Sequence, residues 1–317
     1  MTKNDAFLKD VNDGLSQNPK YISSHYFYDK AGDELFQKIM EMPEYYLTNS
    51  ELEIFKEQSM EIIESFNIDK NQKFELIELG SGDGKKTQHL LRALLSQNYQ
   101  FKYIPVDIST NSLEVITKNL ENHFPTINIE PQQGDYFQVL DRLFTSNHPK
   151  IILFIGSNLG NMEDEVAKRF LSKISQNLKT NEKLLLGLDL IKSKEVVLPA
   201  YNDPAGITSS FNLNLLKRIN TELGADFDLE NFEHAPEYTE EEGIAKSFLK
   251  SRKRQSVYIK DLDQSFEFRE NERIHTEVSR KYDDEVLKKL LLKSDLEISE
   301  KFLDSKNYFA DYILTKR

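Results

Sequence analysis

The sequence contains no cysteine. Disulfides, thiolate zinc sites and a cysteine nucleophile are therefore excluded, and His, Asp and Glu are left as the side chains for any metal. No stretch approaches the roughly 18 apolar residues that a membrane span needs, and the opening MTKNDAFLKDVNDG has no apolar core of signal-peptide type. A cytoplasmic protein with no membrane partner is the expectation. Basic charge is in deficit as well, since 41 Lys and Arg face 53 Asp and Glu for a formal net charge of −12. Such a chain repels phosphate backbones, and its densest basic cluster, Lys250 to Arg254, is short, so nucleic acid is not an expected partner. The six histidines show no HExxH-type spacing, and no metal is expected. What the chain does have is 20 Phe and 14 Tyr within a 38% apolar share, enough for a folded core over 317 residues in one or two domains. A monomer is expected.

From about Asp5 to Phe66 the apolar residues recur at helical spacing, as in Leu35, Phe36, Ile39 and Met40, with no strand pattern before Phe74. Pro43 should end one helix, and Thr48, Asn49 or Ser50 can cap the next. Between Phe74 and Asp189 short apolar runs (FELIEL, YIPVDI, INIE, KIILFIGS, KLLLGLDL) alternate with helical ones. That rhythm predicts a parallel sheet covered by helices, with ligands at the carboxyl ends of its strands. After Asp189 it breaks into a helical stretch at Phe211–Leu223, an acidic segment near Thr239–Glu242 and strand-like runs at Gln255–Ile259, Ser265–Arg269 and Arg273–Ser279, the pattern of an insertion. A helix at Glu285–Leu292 and the runs LEISEKFL and YFADYILTK close the chain, the last two as an antiparallel pair on the sheet edge.

Directly after the first strand stands Glu78-Leu79-Gly80-Ser81-Gly82-Asp83-Gly84-Lys85-Lys86-Thr87. Glycines at that place let backbone approach a nucleotide closely. The spacing fails the phosphate-loop pattern GxxxxGK[ST], and it fails GxGxxG because Lys85 stands where the third glycine is needed. What remains, acidic-x-Gly-x-Gly-x-Gly, resembles the cofactor loop of Rossmann-like S-adenosylmethionine methyltransferases. Asp107 and Asp135 follow the next two strands, where one carboxylate can accept both ribose hydroxyls and the other the adenine amino group. The competing reading is that both acids merely cap helices.

The strings KYISSHYFYDKAGDELFQKI, MPEYYLTNSE, ELGSGDGKKT, PVDIS, GDYF, GSNLGN, AYNDPAGITSSFNLNLL, LGADF and TEVSRKY resemble, in this order and over nearly the whole chain, the histidine-specific methyltransferases of ergothioneine biosynthesis. The resemblance implies an α/β protein, a Rossmann-like class I methyltransferase fold with an N-terminal helical segment (1–66) packing on the substrate domain. The cofactor core would be 67–190, an inserted α+β substrate-binding domain 191–281, and a helix and strand pair completing the core 282–317. It implies S-adenosyl-L-methionine as cofactor and S-adenosyl-L-homocysteine as product. The reaction implied is three methylations of the α-amino nitrogen of L-histidine, giving hercynine. By motif the cofactor residues are Gly80, Gly82, Lys86, Asp107, Asp135 and Tyr136. The substrate residues are Tyr46, Asn161, Tyr201, Glu277 and Ser279, with Asn161 and Tyr46 at the reacting amine.

The chemistry of these residues agrees with such roles. Glu277 and Ser279 lie two apart in a strand and face the same side, offering acceptors to an imidazole N–H. Tyr46 and Tyr201 bring hydroxyls for a carboxylate and π-faces for a methylated ammonium. In IAKSFLKSR, Ser247 stands where the resembling proteins carry a larger apolar residue. This keeps a second reading open, an N-methyltransferase for another amino acid such as tryptophan. A third is a nucleotide-binding module without catalysis.

Overall fold

The computed structural model describes residues 3–317, and the chain divides into two compact units. The first comprises Leu47–Ile191 with Arg280–Arg317. Its seven strands run in the order Leu296–Leu303, Phe309–Lys316, Lys183–Asp189, Lys150–Phe154, Phe74–Leu79, Phe101–Asp107 and Gln132–Gln133. The five from Lys183–Asp189 to Gln132–Gln133 are parallel, and Phe309–Lys316 joins them antiparallel, with Leu296–Leu303 outermost. Phe74–Leu79 is buried at all six positions, as a strand covered on both faces must be. Alternate residues supply two cores. Ile77, Leu79, Ile104, Val106, Ile152 and Phe154 meet the helices Tyr136–Leu143 and Asp164–Asn177, while Phe74, Leu76, Tyr103, Ile151 and Leu153 meet Tyr46–Ser65, Thr87–Ser96 and Thr110–His123.

The second unit comprises the described residues up to Tyr46 with Lys192–Ser279. Its five-stranded sheet runs Lys20–Tyr21, Arg273–Arg280, Ile244–Ser251, Phe232–His234, with Glu237–Thr239 also paired to Ile244–Ser251. Buried and half-buried positions alternate strictly along Ile244–Ser251, so one face is core. The helix Ile207–Leu223 closes that core with Phe211, Leu215, Leu216 and Ile219, and a separate hairpin pairs Gln255–Ile259 with Gln264–Phe268.

Several expectations are corrected. A strand does precede Phe74: Lys20 and Tyr21 pair in parallel with Ile274 and His275, a pairing too short and too distant in sequence to show as alternation. INIE forms one bridge, Tyr103 to Ile129, and the edge strand is Gln132–Gln133. The helix expected to be capped by Thr48, Asn49 or Ser50 already starts at Tyr46, so these residues lie inside its first turns. From Leu47 on, that helix belongs to the unit of the seven-stranded sheet rather than to the N-terminal segment, because Ile54, Phe55, Ile62 and Ile63 are buried against the sheet's own core.

Candidate active site

The Gly-rich loop leaves the central strand at its carboxyl end, where Gly80, Gly82 and Gly84 have φ of +75°, +54° and +68°. Other residues hold that left-handed backbone only with strain. At Gly80 space is a second reason, since a Cβ would stand 2.7 Å from the Tyr136 hydroxyl and 2.8 Å from Asn158 Nδ2. Around Gly82 nothing lies within 4 Å of that position, so the loop is open there.

Backbone bonds tie the first three strand ends together. The Gly80 and Ser81 N–H groups donate to the Val106 carbonyl at 2.7 and 3.2 Å, and the Gly134 N–H donates to the Asp107 carbonyl at 3.1 Å. Asp107 is anchored by its side chain too. Its Oδ2 accepts from the Gly82 N–H at 3.2 Å and its Oδ1 from the Ser109 N–H at 2.9 Å. Burial pushes this carboxyl up, and the N–H groups oppose that. The result is an oriented acceptor pair beside the open Gly82, the acceptor set that vicinal ribose hydroxyls require. The residues present therefore fit a nucleoside cofactor.

Asp135 behaves partly as the competing reading held: it is exposed and caps the helix Tyr136–Leu143 through the Phe137 N–H at 2.9 Å. Tyr136 follows it, its ring against Phe154 with centroids 5.3 Å apart, and burial raises its phenol well above the ordinary value. Lys86 is ion-paired with Glu51, whose Oε1 also accepts the Gly156 N–H at 2.7 Å. The motif's own acid, Glu78, is buried beneath the loop. It accepts from Thr87 Oγ1 at 2.7 Å and from the Tyr103 hydroxyl, and burial pushes it up to about 7. Its place is structural. Asn161 is exposed at the end of the short turn Asn158–Asn161 that follows the strand Lys150–Phe154.

In the second unit, Tyr201 ends the helix Lys194–Tyr201 and its hydroxyl donates to Ser279 Oγ at 2.8 Å. Glu277, two residues earlier on the strand, accepts from Ser247 Oγ at 3.3 Å. A carboxylate and a hydroxyl thus stand on one strand face, each held by a second side chain. His234 Nε2 bonds the Tyr201 carbonyl at 2.8 Å, and burial lowers the His234 pKa. Tyr46 accepts from Lys192 Nζ at 3.1 Å, and the same ammonium lies 4.4 Å from its ring centroid.

Sequence reasoning did not single out Glu51, which pairs with Lys86, Asn158 beside Gly80, Lys192 at Tyr46, or Asp311, which lies buried beside Glu51. Glu51 ends the string MPEYYLTNSE and Asn158 lies within GSNLGN, so both stood inside motifs already singled out. Nothing in spacing marked Lys192 or Asp311, whose partners are distant in the chain.

A seven-stranded sheet with one antiparallel strand beside its edge, a Gly-rich loop after the central strand and an acid after the next one define the class I S-adenosylmethionine-dependent methyltransferase fold. Likeness to the solved mitomycin 7-O-methyltransferase MmcR agrees on the fold, with a TM-score of 0.51 at 12% identity over 99% of this chain and 67% of that one. A family profile described as "Histidine-specific methyltransferase, SAM-dependent" matches residues 7–316. Histidine N-alpha-methyltransferase of Mycolicibacterium smegmatis is 35% identical over 278 residues, 88% of this chain and 85% of that protein. Ergothioneine biosynthesis protein 1 of Schizosaccharomyces pombe is 28% identical over 303 residues, 93% of this chain and 39% of that protein. The chain belongs to the histidine-specific, S-adenosylmethionine-dependent methyltransferase family.

Proposed function

We propose that the chain methylates the α-amino nitrogen of L-histidine three times, giving hercynine and three molecules of S-adenosylhomocysteine, as the first step of ergothioneine biosynthesis. The observation that carries this reading is the extent of the family match. Residues 7–316 take in both units, so the unit outside the cofactor fold matches a histidine-specific family as well.

When bound, S-adenosylmethionine supplies a methyl group on a positively charged sulfur, already activated for displacement. The chain therefore needs no covalent nucleophile; its work is alignment and the exclusion of water. Asp107 and the Gly80 and Gly82 backbone hold the nucleoside, with Asp135 and Tyr136 at the base and Lys86 at the charged amino-acid end. Asn161, Tyr46 and Tyr201 are assigned to the α-end of the amino acid, and Glu277 with Ser279 to the imidazole. Neutral imidazole carries one N–H donor and one acceptor nitrogen. Glu277 offers only acceptors, while Ser279, receiving the Tyr201 proton on its oxygen, directs its own O–H elsewhere. Ser247, which in the sequence kept the reading of another amino acid open, donates to Glu277 at 3.3 Å, which supports an oriented acceptor there. Each cycle requires the amine to lose a proton, and after three methyl groups none remains, so turnover on one molecule stops.

Limiting histidine incubated with excess S-adenosylmethionine tests the reading by stoichiometry. Three S-adenosylhomocysteine per histidine, with only the three-methyl product at completion, is the expected result. Product stopping at one methyl group contradicts it.

A further inference from the structure

Beneath the Gly-rich loop lies a charge cluster of buried Glu51 and Asp311 with half-buried Lys86, in which neither carboxyl has an assigned role. Lys86 Nζ pairs with Glu51 Oε2, and Glu51 Oε1 holds the Gly156 N–H at 2.7 Å. The same ammonium is 3.4 Å from where a Cβ on Gly156 would stand. One carboxyl thus fixes a side chain of the first strand's loop and the backbone of the loop after Lys150–Phe154. Asp311, on the strand Phe309–Lys316, completes the cluster. It is 0% exposed, no N–H or hydroxyl donor among the described residues reaches either of its oxygens, and it faces Glu51. Gly187, directly opposite Asp311 in the ladder, makes the room: a Cβ there would press on Glu51 Oε1 and stand 2.9 Å from Asp311 Oδ1.

Resting on the reading of Lys86 as a cofactor residue, we propose that Glu51 is a positioning residue that keeps the Lys86 ammonium charged and aimed at the cofactor's carboxylate, with Asp311 as a hydrogen-bond donor to Glu51. Two carboxyls and one ammonium in a buried site cannot all ionise cheaply, so one carboxyl keeps its proton. That proton sits on Asp311, which burial and the neighbouring Glu51 push well up, and it bridges the two carboxyls. The other charged group facing the cluster is Glu78, from the central strand. Burial works to discharge Lys86, and Glu51 is the largest influence opposing it. Without Glu51 the burial that favours the neutral amine loses its largest opponent, so the Lys86 pKa should fall while the side chain keeps its place in the chain.

Binding of S-adenosylhomocysteine, measured by calorimetry from about pH 6 to about pH 9, tests this without turnover. Against wild type, Lys86→Met should weaken binding about tenfold or more across the range. Glu51→Gln should match Lys86→Met at the alkaline end and recover toward wild type at the acid end, as Lys86 regains its proton. Asp311→Asn, whose amide donates as the protonated acid does, should stay within about threefold of wild type. Wild-type binding by Lys86→Met would remove the cofactor reading of Lys86 and the proposal with it. A weak Lys86→Met beside a Glu51→Gln that binds like wild type throughout, or equally weakly at every pH, would overturn the proposal alone. Strong loss in Asp311→Asn would overturn the assignment of the proton to Asp311.

Discussion

Asp107 ties the second strand to the Gly-rich loop with one carboxylate oxygen and to Ser109 with the other. Replacing it with Ala removes the acceptor pair assigned to the ribose and should weaken S-adenosylhomocysteine binding by about 2–5 kcal/mol; unchanged affinity would refute the assignment. Glu277→Ala should cut histidine turnover about a hundredfold or more while leaving cofactor affinity intact, because a site built to bond an N–H loses its discrimination with the acceptor. Equal loss of cofactor binding would place Glu277 elsewhere in the mechanism. Glu78 predicts a pH effect on stability. Its folded pKa of about 7 lies above the ordinary 4.5, so the folded chain holds an extra proton between those values. Its contribution to stability is fully present below pH 4.5 and is lost as pH rises through 7. Urea unfolding of wild type and Glu78→Gln should therefore show a stability difference that shifts against wild type across that window, and a constant difference would contradict it.

Among the elements, Gly187 of Lys183–Asp189 stands opposite Asp311 of Phe309–Lys316, and a Cβ there would lie 2.9 Å from Asp311 Oδ1. Gly187→Ala should cost about 1–3 kcal/mol by overpacking and lower the thermal midpoint, an effect that a change at the open Gly82 would not share through crowding. Four of the five parallel strands and the terminal pair were legible in the sequence because buried strands read as continuous apolar runs and amphipathic helices as period 3.6; the fifth, Gln132–Gln133, was not, INIE having been read in its place. Lys20–Tyr21 was not, being two residues long, nor were Phe232–His234 and Glu237–Thr239, each three residues. Short edge strands are specified by their partners rather than by their own pattern. The proposed site divides in the same way. Gly80, Gly82 and Asp107 were proposed from spacing after strands, whereas Glu277 and Ser279 were named through the family resemblance, with which their alternate spacing is consistent. Asp311 looks like any acid on an edge-side strand until the fold sets it beside Glu51. Asp135 caps the helix Tyr136–Leu143 as the competing reading held, and the base contact is a proposal beside it.

For the whole molecule, the family match spans both the sheet unit and the second unit, which carries the residues proposed to recognise the amino-acid side chain. No helix among the described residues is long and apolar enough to cross a membrane. The central claim is the choice of histidine. One reaction containing S-adenosylmethionine and equal concentrations of histidine, tryptophan and phenylalanine, followed by mass detection of methylated products, tests it most directly. Trimethylated histidine should form first and in excess over any other product. Methylation of tryptophan or phenylalanine ahead of histidine would contradict the assignment of Glu277 and Ser279 as an imidazole site, and with it the proposed substrate.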